Sequence, residues 1–445
     1  TPATTVTMDV SKTVPAIFEP AGPVNLVMAV SPTPDGPAYA VNPPVGGATL
    51  RPRNEVVNIS ATRVLADFYF SHWTVSAGSP PANPYAESTT VTMDQDKTVT
   101  AVYARTGTEF RAMWVSRFEW PKPDPVTCRA YIDDVMQKLG ANNFNAVIFQ
   151  MRGQADTLYP SPYEPWSPLI SPTGADPGWD PMAYAIRKAH ENGLEFHAYI
   201  NAHVAWQGPN PPANPQHLYY KHCNALDPAA RDWLVHDASG TPVQYASDNY
   251  AWIAPGVPAF QAYWRKQVMY VVEHYGGASA DDPQGLQGVH FDRIRTPAAT
   301  YSHDPISEAR SAVGSQANPA GLSFGDWTAD QITRTLCDLY AQIMEKKPWI
   351  KVSSAPLGLY SQDRYPGYPS SYLYGRTKCY QDAQGWLAAG AQDFIVPQIY
   401  WADPPYRSTT PHFSEVLPDW VTHSAHRHVY AGQSQTVTGP ELVHE

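Results

Sequence analysis

Gly288-Val289-His290-Phe291-Asp292-Arg293-Ile294-Arg295-Thr296-Pro297 reads as a short strand that ends in an acid. Side chains alternate across a strand, so Val289 and Phe291 face one way and His290 and Asp292 the other. An apolar face and an ionisable face on one short strand fit a strand of a parallel barrel. Val289 and Phe291 then pack on outer helices, and Asp292 stands near the carboxyl end, where barrel enzymes keep their chemistry. The competing reading makes Asp292 a structural carboxylate paired with Arg293 or Arg295.

The rest of the chain bounds these two readings. Its 445 residues exceed one ordinary domain, and one large plus one small domain would fit. A formal net charge of -11 without clusters of Lys and Arg argues against nucleic acid or an anionic membrane as partner. Charged residues are only 16% of the chain, whereas 45 prolines and 12% aromatics point to rigid, aromatic-rich loops on a folded scaffold. Cys128, Cys223, Cys337 and Cys379 are widely spaced, so no metal-binding or redox pair is expected, and any disulfide pairing stays open. No apolar run is long enough to span a membrane. No signal peptide is visible, and the chain starts in the middle of a pattern.

That pattern is a repeat. Thr89-Thr90-Val91-Thr92-Met93-Asp94-Gln95-Asp96-Lys97-Thr98-Val99 restates Thr4-Thr5-Val6-Thr7-Met8-Asp9-Val10-Ser11-Lys12-Thr13-Val14. Each copy reads as a hairpin of two alternating runs around a polar turn, with further strands at Val24 to Val30, Val56 to Thr62 and Phe68 to Val75. Residues 1–19 are the expected tail of an earlier repeat, and residues 20–105 one all-β module. Through Met93 to Tyr103 and Phe70-Ser71-His72-Trp73 the module resembles divergent internalin-type B repeats of bacterial surface proteins. The resemblance implies an extracellular or cell-surface bacterial protein; the module reads as a spacer, which needs no ligand, with direct ligand binding as the alternative.

Residues 109–445 alternate strand and helix, the pattern of an α/β fold with parallel strands. Strands are expected at Phe110 to Ser116, Asn145 to Arg152, Leu194 to His203, Gly288 onward, Trp349 to Pro356, Phe394 to Trp401 and His428 to Gly432. Thr127, Asp180 and Thr328 are expected helix caps. Inner parity is expected to gather Gln150 with Arg152, then His197, Tyr199, Asn201 and His203, then Gln398 with Tyr400. Seven strands are one short of a (β/α)8 TIM barrel, so the expectation is either a truncated chain or a barrel that is incomplete over these residues.

Over about 109–440 the sequence resembles the glycosyl hydrolase-like 10 family. The matching motifs are Phe110-Arg111-Ala112-Met113-Trp114-Val115-Ser116, Phe149 to Asp156 with Leu158-Tyr159-Pro160-Ser161, and Glu164-Pro165-Trp166-Ser167. Asp176 to Pro181, Gly288 to Arg295, Ser354 to Gly358 and Val396 to Trp401 complete them. The resemblance implies a barrel acting on glycans, with Asp292 at the family's strand-end acid. Many members carry a second Asp where this chain has Arg293, so a role for that acid does not transfer.

Glycoside cleavage needs a protonated carboxyl and an ionised one across the scissile bond. Asp292 is the expected ionised member, kept charged by Arg152 and Arg295 if they reach the same mouth. Glu164, Asp403 and Asp156 compete for the acid. Glu164 sits among Tyr163, Pro165 and Trp166, an apolar setting that raises a carboxyl pKa. Trp166, Tyr199, Trp206, Tyr400 and Trp401 offer faces for sugar rings. Asn201, His203, His290 and Gln398 are expected to hydrogen-bond substrate, and neither a metal nor another cofactor is called for. The reading is an extracellular glycoside hydrolase, with a non-catalytic glycan-binding surface protein as the alternative; oligomeric state stays open.

Overall fold

A computed structural model describes residues 22–31, 39–63, 68–105, 109–404 and 409–434. The chain divides into two compact units between Glu109 and Phe110. The first copy of the repeat, and the expected tail at 1–19, lie outside the described residues.

The amino-terminal unit is all-β. One sheet runs Thr49–Arg51, Val24–Ser31, Lys97–Arg105, Phe68–Val75; the other runs Tyr39–Asn42, Val56–Arg63, Ser88–Thr92. Both contribute to one core that includes Leu26, Ile59, Trp73, Val91 and Val99. The expected hairpin across Thr89 to Tyr103 does not pair with itself. Ser88–Thr92 pairs with Val56–Arg63, whereas Lys97–Arg105 pairs with Val24–Ser31 and Phe68–Val75. Alternation defines which side chains are buried, not which strand lies alongside, so a corner between two sheets carries the same pattern as a hairpin. The corner is pinned by Lys97, 3% exposed, whose Nζ donates to the Thr92 and Ser79 carbonyls at 2.7 and 3.0 Å and lies 2.7 Å from Asp94 Oδ1. This accounts for the Asp and Lys three residues apart in the repeat.

In the second unit seven parallel strands follow one another in sequence order. They are β1 (Ala112–Val115), β2 (Ala146–Arg152), β3 (Glu195–Asn201), β4 (Gly288–Asp292), β5 (Lys351–Ser354), β6 (Phe394–Ile395) and β7 (His428–Val429). Helices α1 (Pro125–Ala141), α2 (Pro181–Glu191), α3 (Pro258–Tyr275), α4 (Phe324–Lys346), α5 (Ala383–Ala388) and α6 (Phe413–Thr422) lie in the six connections. The sheet curls: Phe110, just before β1, packs 5.1 Å from both Phe394 and Tyr430, and Trp114 of β1 reaches His290 of β4. It is an incomplete barrel, with no ladder between β1 and β7 among the described residues.

Two of the three expected caps move. Asp124, not Thr127, caps α1, accepting from the Thr127 amide ahead of Pro125; Ser323, not Thr328, caps α4. In each case an earlier oxygen is followed by residues that continue the helix, so the first turn forms sooner. Asp180 caps α2 as expected, accepting from the Met182 and Ala183 amides. All four cysteines are free thiols.

Candidate active site

The opening strand does what its alternation requires. Phe291 faces outward, 5.1 Å from the Trp264 ring of α3, and His290 faces inward. His290 is buried, and burial lowers its pKa to about 3, so the ring is neutral. Trp114 Nε1 donates to His290 Nε2 at 3.2 Å, which leaves the proton on Nδ1 to donate to Ser353 Oγ at 2.9 Å. This layer is a floor.

Above it stands Asp292. Tyr199 donates its phenol to Oδ2 at 3.0 Å, and the Arg293 amide donates to Oδ1 at 2.6 Å. Gln398 Nε2 reaches the same Oδ1 at 3.4 Å while donating to the Ala355 carbonyl at 3.1 Å. Burial and the Asp292 charge push the Tyr199 phenol well above its ordinary range, so it stays a donor. All three groups donate to the Asp292 oxygens. The carboxylate opens into a cavity lined also by Trp114, Ser116, Tyr400 and Gln433. Gln398 and Tyr400 also line an adjoining apolar pocket with Tyr372, Leu373 and Trp401.

Arginines do not hold Asp292. Arg293 has φ 54, in the left-handed region, and this turns its guanidinium to Asp248 at 3.0 Å and over the Tyr250 ring at 4.2 Å. Arg295 lies over the Trp252 ring at 4.8 Å and donates to the Thr296 carbonyl. Arg152 faces away. A bulge in β2 lets Tyr199 pair with Gln150 but Ile200 with Arg152, skipping Met151, and one extra residue reverses side-chain parity. Arg152 thus shares the outer face with Ile200 and Phe291.

There Arg152 meets Glu164. Its Nε and Nη2 donate to Oε2 and Oε1 at 2.8 and 2.7 Å, and Gln267 and Tyr263 of α3 donate to the same carboxylate at 2.6 and 3.2 Å. Burial opposes the charge on Arg152 and Glu164 outweighs it. Glu164 is 5% exposed and is not among the residues lining the Asp292 cavity. The apolar setting expected of it is instead a buried ion pair.

His203 is also outside the barrel, 5.4 Å from Phe260 and 6.2 Å from Trp264. β3 ends at Asn201 and a separate strand, Val204–Gln207, pairs antiparallel with Tyr250–Trp252, so the alternation of His197 and Tyr199 does not extend to it. Asn201 stays beside Asp292 in register and donates to the Gly153 carbonyl at 2.7 Å. Asp403 accepts at Oδ1 from the Ser414 amide and hydroxyl at 3.0 and 2.9 Å, two residues beyond Trp401. Asp156 and Trp166 line a different cleft with Trp206 and His217. Among the described residues, no group of His, Cys, Asp and Glu is arranged to hold a metal ion.

Trp114, Ser116 and Glu119 were not singled out from sequence. Trp114 shares the register of Ile148 on β2, so its inward face was legible in the alternation of Met113, Trp114 and Val115. Glu119 Oε2 accepts from the Ser116 amide at 2.6 Å through a local turn that has no periodic signature.

The glycosyl hydrolase-like 10 family model matches residues 109–441. The chain belongs to this family. It is 27% identical over 349 residues to Glycosyl hydrolase YngK of Bacillus subtilis (strain 168), covering 74% of this chain and 61% of that protein. It is 25% identical over 339 residues to Glycosyl hydrolase DigH of Escherichia coli (strain K12), covering 70% and 69%. The chain thus spans less than two thirds of the length of the Bacillus relative. Among solved structures, the endo-beta-1,4-mannanase from Thermotoga petrophila aligns with a TM-score of 0.42 and 13% identity, over 74% of this chain and 62% of that one.

Proposed function

We propose that this family member hydrolyses glycosidic bonds of a polysaccharide or cell-wall glycan at the carboxyl-end face of a TIM-type barrel, with Asp292 as its ionised carboxylate. The observation that carries this is the donor set on Asp292: Tyr199, the Arg293 amide and Gln398 hold a carboxylate at the open end of β4 beneath aromatic walls. Such a group stabilises positive charge at the anomeric carbon as the glycosidic bond breaks. A second carboxyl gives its proton to the departing oxygen, and water supplies the hydroxyl that ends on the anomeric carbon.

We assign the acid to Asp403. It follows the Tyr400–Trp401 wall and accepts from the Ser414 amide and hydroxyl on Oδ1. Glu164 serves structure, as the partner of Arg152. Reducing-sugar release from a polysaccharide and peptidoglycan panel tests the reading. Wild type releases sugar and Asp292→Asn does not; equal activity in both rejects it. Asp403→Asn loses glycosides with poor leaving groups and keeps dinitrophenyl glycosides, whose departure needs no proton. If Glu119→Gln shows that split instead, the acid is Glu119.

Among the described residues that line its cavity Asp292 is the one carboxylate, which favours a second reading as a non-catalytic glycan binder. Binding of the same glycans with no product from wild type would select it. A location outside the cell, with the amino-terminal unit as a bacterial surface-repeat spacer, is part of the same proposal and is supported by the duplicated Met-Asp-x-x-Lys-Thr-Val motif.

A further inference from the structure

A second cleft lies between the loops that follow β2 and β3, and it shares no lining residue with the Asp292 cavity. Trp166 and Trp206 wall it, with Pro212 and Pro215 stiffening one side. The loop carrying Trp166 is tied to its base by exchange between Thr157 and residues 165–167.

Two buried polar side chains border the cleft. Asp156, 2% exposed, accepts at Oδ2 from Gln154 Nε2 at 3.1 Å, and burial pushes its carboxyl above the ordinary range. His217, 1% exposed, accepts the Tyr219 amide on Nδ1 at 3.0 Å, so its neutral ring carries the proton on Nε2. That Nε2 has no hydrogen-bond partner among the described residues. A buried donor without an acceptor costs free energy that a ligand oxygen would recover.

The chemistry narrows the occupant. An anion gains nothing, because among the described residues no Lys or Arg lines the cleft and Asp156 does. A purely apolar ligand would leave His217 unpaired. A pyranose ring meets every wall: its C–H face lies on an indole, one hydroxyl oxygen accepts from His217, and another hydroxyl donates to Asp156. We propose that this cleft is a second sugar-binding subsite, taking a neutral pyranose unit of the glycan remote from the bond broken at Asp292. The inference rests on the glycan-cleaving reading of the first cavity.

The test uses the full chain carrying Asp292→Asn, titrated calorimetrically with hexa- and disaccharides of the cello-, xylo-, malto- and chito- series. Trp206→Ala and His217→Phe are each expected to weaken the best hexasaccharide tenfold or more and the disaccharide much less. Thr173→Trp fills the cleft from its exposed rim without disturbing the buried groups, which guards against loss through misfolding. In the otherwise wild-type chain it is expected to weaken hexasaccharide cleavage through KM while hydrolysis of a small aryl glycoside stays within twofold. Hexasaccharide binding unchanged in all three variants overturns the subsite, and hydrolysis lost in Asp292→Asn would still uphold the first cavity. If no oligosaccharide binds and wild type cleaves none, both readings fall together.

Discussion

Tyr199 of β3 donates its phenol to Asp292 of β4 at 3.0 Å, across adjacent parallel strands whose registers place Tyr199 opposite His290. A hydrogen bond to a charged group is worth about 1.5–3 kcal/mol, roughly 10–100-fold in rate if it is kept in the transition state. Tyr199→Phe is therefore expected to lower kcat by that factor with little change in KM, measured on whichever glycan the wild type cleaves. A change confined to KM would make Tyr199 a substrate contact instead.

Glu164 and Arg152 are both buried, and removing one leaves the other uncompensated. Breaking such a pair costs about 3–5 kcal/mol, whereas replacing both with apolar groups is often close to neutral. Glu164→Gln is expected to shift urea unfolding by that amount, and Arg152→Met with Glu164→Leu to recover most of it. A Glu164→Gln chain as stable as wild type but inactive on glycans would return Glu164 to the chemistry.

Part of this was readable beforehand. The alternation of Val289, His290, Phe291 and Asp292 holds because β4 is short and free of bulges, and the order of all seven strands followed from the spacing of apolar runs. The parity of Arg152 failed at one skipped residue, Met151, which no periodicity reveals. Once Arg152 turns outward, Glu164 follows it, so both misplacements share one cause. His203 failed because a new antiparallel pairing begins at Val204. Glu119 was missed because a local turn, not a strand, brings it to Ser116.

Arg293 holds a left-handed conformation with φ 54, and its amide is one of the donors on Asp292. Glycine adopts that conformation freely, whereas a β-branched residue strains it. Arg293→Gly keeps the amide and loses the contacts with Asp248 and Tyr250, so kcat is expected to stay within about tenfold of wild type, the scale of one exposed ion pair and its ring contact. Arg293→Val is expected to lose more activity and stability than Arg293→Gly. Measuring kcat and urea midpoints for both checks the order; Val equal to Gly would show that the turn does not position the carboxylate.

His203, His217 and His290 are buried, and burial lowers each to about 3 from the ordinary 6.5. In the unfolded chain they take up protons near pH 6.5, whereas the folded protein resists until about pH 3. Their contribution to stability is thus fully present above pH 6.5 and is lost as pH falls toward 3. Asp156, whose carboxyl is raised by burial, acts in the opposite sense: its contribution is present below its unfolded value and is lost as pH rises through its folded one. Each histidine adds up to about 1.4 kcal/mol per pH unit to the slope within the window. His203→Phe, whose ring suits the Phe260 and Trp264 surroundings, is expected to flatten the dependence of unfolding free energy on pH between 6 and 4 by one such increment. Urea titrations at half-unit steps measure it, and an unchanged slope would mean that His203 titrates alike in both states.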